Sequence, residues 1–169
     1  MKKEDVILRG LIYNEEVSLA VADTTALVNE AIRVHGLSPL AAAALGRTLT
    51  VAAYMCSSLK TEGSALSVSV KGDGAGGAIY VSGDKALHMR GYIENPQAAL
   101  PPNALGKLDV GGCVGKEGYL SVVRDDGENQ PFVGTTPLVS GEIGEDFAAY
   151  FAYSEQLPTA IAVGVRISK

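Results

Sequence analysis

Residues 38–60 read SPLAAAALGRTLTVAAYMCSSLK. Ser38 is placed to cap a helix N-terminus, and Pro39 to fill its first position, where a missing N–H costs nothing. Ala and Leu, the strongest helix formers among apolar residues, dominate the rest of the stretch. Leu45, Leu49, Ala52, Cys56 and Leu59 recur at spacings of four, three, four and three, a single stripe at helical period. The opposite side carries Ala41 to Ala44, Val51 and Ala53 and is hardly more polar. A helix that is apolar nearly all round is a buried one. The stretch therefore predicts a central core helix, with strands before and after it folded against it. Its length also suits a membrane span, which takes about 20 residues. Arg47, near its middle beside Gly46, argues against that, since a central Arg costs at least ~2.5 kcal/mol to insert.

The whole chain of 169 residues is long enough to bury a substantial core as one domain. A hydrophobic share of 47% and 20 glycines fit a turn-rich globule rather than a disordered chain. Net charge is −5 and no basic run occurs, which points away from nucleic acid as a partner. The start, MKKEDVILRG, has early acidic residues and no apolar run, unlike a secretory signal. Cys56 and Cys113 have no nearby cysteine partner, and Cys56 reads as a small core residue. A reducing, cytoplasmic setting is expected.

Outward from the central helix, the pattern is mixed. Residues 6–13 and 17–22 are β-branched, apolar runs across Asn14, Glu15 and Glu16, a predicted hairpin. Asp23 or Thr24 should cap a helix that ends at His35, with Gly36 in the left-handed position. Residues 65–71 (ALSVSVK) alternate strictly and predict a half-buried strand. Strands are expected at 78–82 and 87–93, and the short connections require an antiparallel meander. A further pair is expected at 118–124 and 132–139, then a helix after the acidic turn at Glu145 and Asp146. Pro158 stops that helix, and 160–167 (AIAVGVRI) predicts a last strand within the sheet. The fold class is α+β: a mostly antiparallel sheet with a buried central helix and one or two further helices packed on it.

Motifs for chemistry are sparse. Gly72, Gly74 and Gly77 match the spacing of a dinucleotide fingerprint, but that motif needs a helix after it, and a strand follows here. His35, His88 and the two cysteines lack metal-ligand spacing, so no metal site and no cofactor is expected in this chain. Glu142, Glu145 and Asp146 could supply paired carboxylates, though helix-start electrostatics explain them more simply. No catalytic residue is assigned. The rival reading is a small-molecule enzyme using the 72–77 glycine loop and the 142–146 turn.

Taken together, several pieces resemble one family. They are ALGRT (44–48) with Leu59 and Lys60, GDGAGG (72–77), RGY (90–92) with Asn95 and Pro96, and GKLDV (106–110) before Val114 and Gly115. GYLSVV (118–123), VSGEI (139–143) with Glu145 and Asp146, SEQ (154–156), and Gly164 with Val165 complete the set. The chain is identified on these as a member of the 33-kDa heat-shock protein family, the redox-regulated holdase chaperones, matching the N-terminal core. Ala75-Gly76 stands where that family often has Gly-Pro.

The resemblance implies ATP-independent binding of unfolding proteins, activation by oxidation, and a homodimer. It also implies a helical linker and a zinc-binding domain with two cysteine pairs beyond the core. Neither Cys56 nor Cys113 matches those switch cysteines, so zinc is expected only in that further domain, and residues 1–169 are expected to be the core separated from it. An open apolar sheet face is expected to receive clients, with Ile79, Val81, Leu87 and Met89 as its candidates, methionine being suited to promiscuous contact.

Overall fold

The computed structural model describes residues 4–167; the first three residues of the charged start and the last two residues lie outside it. The predicted core helix is α2, Pro39–Ser57. Ser38 Oγ accepts the Ala41 N–H at 3.1 Å and donates to the Ala98 carbonyl at 2.6 Å, so the cap also ties down a loop. Leu45, Leu49, Ala52 and Cys56 are all buried, as the stripe requires. By length and composition α2 would span a membrane, yet 78% of its most apolar window is buried inside the protein.

Against one side of α2 lies a five-stranded antiparallel sheet: β3 (Ala65–Lys71), β4 (Ile79–Asp84), β5 (Arg90–Ile93), β6 (Tyr119–Asp125) and β7 (Phe132–Pro137). Its order is β5-β4-β3-β6-β7, so the first three strands are the expected meander and the later pair joins through β3. The alternation read in ALSVSVK sets the two faces. Leu66, Val68 and Val70 of β3 turn inward with Ile79, Val81, Leu120 and Val122. α4 (Gly144–Tyr153) adds Phe147 and Tyr150 to the same core.

α1 (Thr25–His35) packs beside α2 and ends on Gly36 at φ 60°, as expected. Its N-cap Thr24 makes no side-chain cap bond. Asp5, from well before the helix, accepts the Ala26 and Leu27 N–H groups at 2.7 and 2.8 Å instead. Thr24 Oγ1 meets Thr50 Oγ1 at 2.6 Å, pinning the start of α1 to α2.

Three features differ from expectation. A short helix, α3 (Val110–Val114), forms where Gly111 and Gly112 weakened the helical signal; Asp109 caps it through the Gly112 N–H. The strand expected from residue 87 begins at Arg90, because Leu87 sits in a turn at φ 65°. Residues 160–167 pair with no strand among the described residues, although Ile161, Val163 and Val165 pack on the core.

An uncovered ribbon as the candidate binding surface

The hairpin of β1 (Val6–Ile12) and β2 (Val17–Asp23) forms a separate two-stranded sheet. In its register Leu8 lies opposite Val21, Gly10 opposite Leu19 and Ile12 opposite Val17. Period-2 alternation therefore gathers Val6, Leu8, Ile12, Val17, Leu19 and Val21 on one face. All six are exposed, Leu8 at 62% and Val21 at 59%.

The other face carries Arg9 and rests on the C-terminal end of α2. Arg9 Nη2 donates to the hydroxyls of Ser57 and Ser58 at 2.5 and 2.7 Å, and its guanidinium lies 5.2 Å from the Tyr54 ring centroid. These polar contacts and the cation–π contact tether the ribbon but bury little of either face: Leu11, on the Arg9 side, is 59% exposed and only Ile7 of β1 is partly covered, while the apolar face is bare. A contiguous apolar patch on a folded protein marks an interaction surface.

The outer face of the five-stranded sheet is of another kind. Ser67, Ser69, Ser82, Ser121 and Thr135 form its floor, with Ser121 Oγ 2.9 Å from Thr135 Oγ1. Tyr80 and Tyr92 stack at 5.2 Å, Lys71 lies over Tyr80, and Arg90 donates to Ser82 at 2.9 Å. Val123 and Val133 share this face, Val133 at 60% exposed, so it is a mixture of hydroxyl groups, aromatic rings and valines rather than the apolar face expected from the sequence.

The four candidate residues accordingly separate. Ile79 and Val81 are buried against the helices, because their parity in β4 is that of the covered face. That corrects their expected placement on the open side. Leu87 is 41% exposed in its turn, and Met89 is half-buried against the core. Val81 and Met89 reach the same groove, while Ile79 is fully buried and Leu87 lies outside it. Sequence reading passed over the ribbon, although the alternate positions 6, 8, 12, 17, 19 and 21, apolar on both strands of one hairpin, were its signal.

The groups of the rival enzyme reading are bonded within the fold. The N–H groups of Gly74 and Gly76 donate to the carbonyls of Val114 and Cys113 at 3.0 and 2.7 Å. A Cβ at Gly74 would collide with that α3 backbone, so glycine serves close approach here. Asp146 is fully buried and accepts N–H bonds from Val139, Ser140, Gly141 and Ile143. Glu142 bonds Arg47 and the Gly111 N–H. Among the described residues no group of three metal-ligating side chains comes together. Burial pushes the thiols of Cys56 and Cys113 up to about 11, with Asp84 and Asp109 adding smaller pushes.

A family model described as Hsp33 protein matches residues 5–169. The chain belongs to the Hsp33 family. Among its Hsp33 relatives is the 33 kDa chaperonin of Acetivibrio thermocellus, 50% identical over 162 residues, which are 96% of this chain and 54% of the relative. The 33 kDa chaperonin of Clostridium novyi is 44% identical over 165 residues, 98% of this chain and 56% of the relative. The crystal structure of the 33 kDa chaperonin (heat shock protein 33 homolog) of Thermotoga maritima superposes with a TM-score of 0.90 at 40% identity, covering 96% of this chain and 55% of that one. The chain thus spans about half the length of the Hsp33 relatives it matches, and its α+β fold is that of the Thermotoga structure.

Proposed function

We propose that this chain is the polypeptide-binding core of an ATP-independent holdase chaperone. The observation that carries the reading is the bare apolar face of the β1–β2 ribbon. A holdase has to offer apolar surface to chains that have exposed theirs, and burying such surface is worth about 25 cal/mol per Å². The relatives named 33 kDa chaperonin support a chaperone rather than an enzyme. Clients are unfolding or partly folded proteins, met in the cytoplasm, with neither nucleic acid nor membrane as partner. Two copies pair as a homodimer when clients are few.

Activation by oxidation belongs, in this reading, to the part of the relatives that lies outside the matched half, as does zinc. The core's own thiols are buried and held in the protonated form, unsuited to sensing oxidant. The core should therefore act without oxidant. Light scattering of a thermally unfolding enzyme tests this: the chain lowers the signal equally with and without reductant. Suppression that required oxidant would contradict the reading, as would no suppression at any ratio of chain to client.

A further inference from the structure

The C-terminal end of α2 has no cation of its own, since no basic residue stands in its last turn. Its final carbonyls form the negative end of the helix dipole and lack helical N–H partners. The Ser58 N–H bonds the Met55 carbonyl, so the Tyr54 carbonyl is met by side chains. Ser57 Oγ and Ser58 Oγ donate to it at 2.6 and 3.0 Å. Each hydroxyl has then given its proton, and its lone pairs are left to accept from Arg9 Nη2. The same nitrogen reaches the Tyr54 carbonyl at 3.3 Å, from 45 residues earlier in the chain. The central helix is thus capped by a guanidinium that the ribbon brings in.

The ribbon depends on that cap in turn. A two-stranded sheet is marginally stable by itself. At its tip Tyr13, Asn14 and Glu15 stand consecutively at φ 50°, 53° and 71°, a left-handed run that disfavours Tyr and Glu. At its base Asp5 holds the first amides of α1, and Thr24 meets Thr50. Between base and tip, Arg9 ties the middle of β1 to α2, and of the other β1 residues only Ile7 is partly covered.

We propose that Arg9 is the positioning residue of the binding ribbon: its bonds to the end of α2 hold β1–β2 as a formed sheet, so that a client meets the apolar face already ordered. The proposal rests on the holdase reading and adds which residue sets the affinity of that face. Arg9 lies on the opposite side of the ribbon from Leu8 and Val21, so it acts through the order of the ribbon and not by touching the client. A surface ordered before binding avoids the entropy cost of ordering it on contact. A frayed ribbon offers the same side chains without the surface. The guanidinium suits the post, because it bonds the helix end while lying flat over Tyr54, 5.2 Å from the ring centroid. A lysine ammonium would keep the charge and lose the planar fork.

Amide hydrogen exchange of the chain, read beside its binding of reduced and carboxymethylated α-lactalbumin as a permanently unfolded probe, tests this. In Arg9→Ala the amides of 6–12 and 17–23 should exchange about tenfold faster, while those of β3 and β6 keep the parent's protection. Probe affinity, read by fluorescence anisotropy, should fall about tenfold. Arg9→Lys should recover part of both. Ser57→Ala with Ser58→Ala should reproduce much of the loss with Arg9 in place, and adding Arg9→Ala to that pair should cost little more. An Arg9→Ala chain that binds the probe as well as the parent, or better, would overturn the proposal and leave the holdase reading standing. So would weaker binding with the ribbon amides still protected. Protection lost equally from β3 and β6 would make Arg9 a residue of global stability and overturn it too. A parent chain that does not bind the probe would count against the holdase reading as well.

Discussion

Arg47 Nη1 meets Glu142 Oε2 at 2.6 Å, joining residues 95 apart in sequence. The same nitrogen donates to the Glu142 carbonyl at 3.0 Å, and Glu142 Oε1 takes the Gly111 N–H at 3.1 Å. The central helix is thereby tied to α3 and to the turn that starts α4. The Arg that argues against a membrane span is the bracket of the core.

Arg47→Ala should destabilise the chain by about 1–3 kcal/mol, below the range for a fully buried pair because Arg47 is 19% and Glu142 39% exposed. Urea unfolding should show a lower midpoint with the same slope.

Asp146 is the other bracket. Its Oδ1 holds three N–H groups and its Oδ2 the Ile143 N–H at 2.9 Å, while Ile143 sits at φ 73°, a rare conformation for a β-branched residue. Asp146→Asn would set an amide donor against an N–H donor at one of these positions. A loss of about 2–4 kcal/mol is expected in denaturant titration.

The two buried thiols give a pH dependence with a definite sign. Their folded pKa, about 11, exceeds the ordinary 9.0, so the folded state keeps protons that the unfolded state gives up. Their contribution to stability is complete below pH 9 and is lost as pH rises through 11. Thermal scans should show the melting temperature falling over that window, and Cys56→Ala with Cys113→Ala should make the fall shallower. At neutral pH a disulfide reagent should find both thiols inert until the chain unfolds.

Much of this fold was legible. Ser38 and Pro39, the apolar stripe of α2, Gly36 and the alternation of residues 65–71 are local signals, and each did locally what its chemistry dictates. What was hidden depended on which surfaces meet. Nothing near Ile79 or Val81 says that helices cover their side of β4 while serines line the other. Leu87 looked like a strand residue because its left-handed backbone leaves no trace in a leucine. Val6 to Val21 read as an ordinary hairpin, since exposure is decided by what packs against it, and here little more than the Arg9 side chain is met. Residues 160–167 had strand character without the partner that would make a sheet.

Replacing Leu8, Leu19 and Val21 together by Thr tests the central claim most directly. Threonine keeps strand propensity and removes apolar surface, and each change at these exposed sites should alter stability by no more than about 0.5 kcal/mol. In light scattering of a thermally unfolding enzyme, the account predicts that the folded triple variant loses most of the parent's suppression. A triple variant that suppressed aggregation as well as the parent would contradict it.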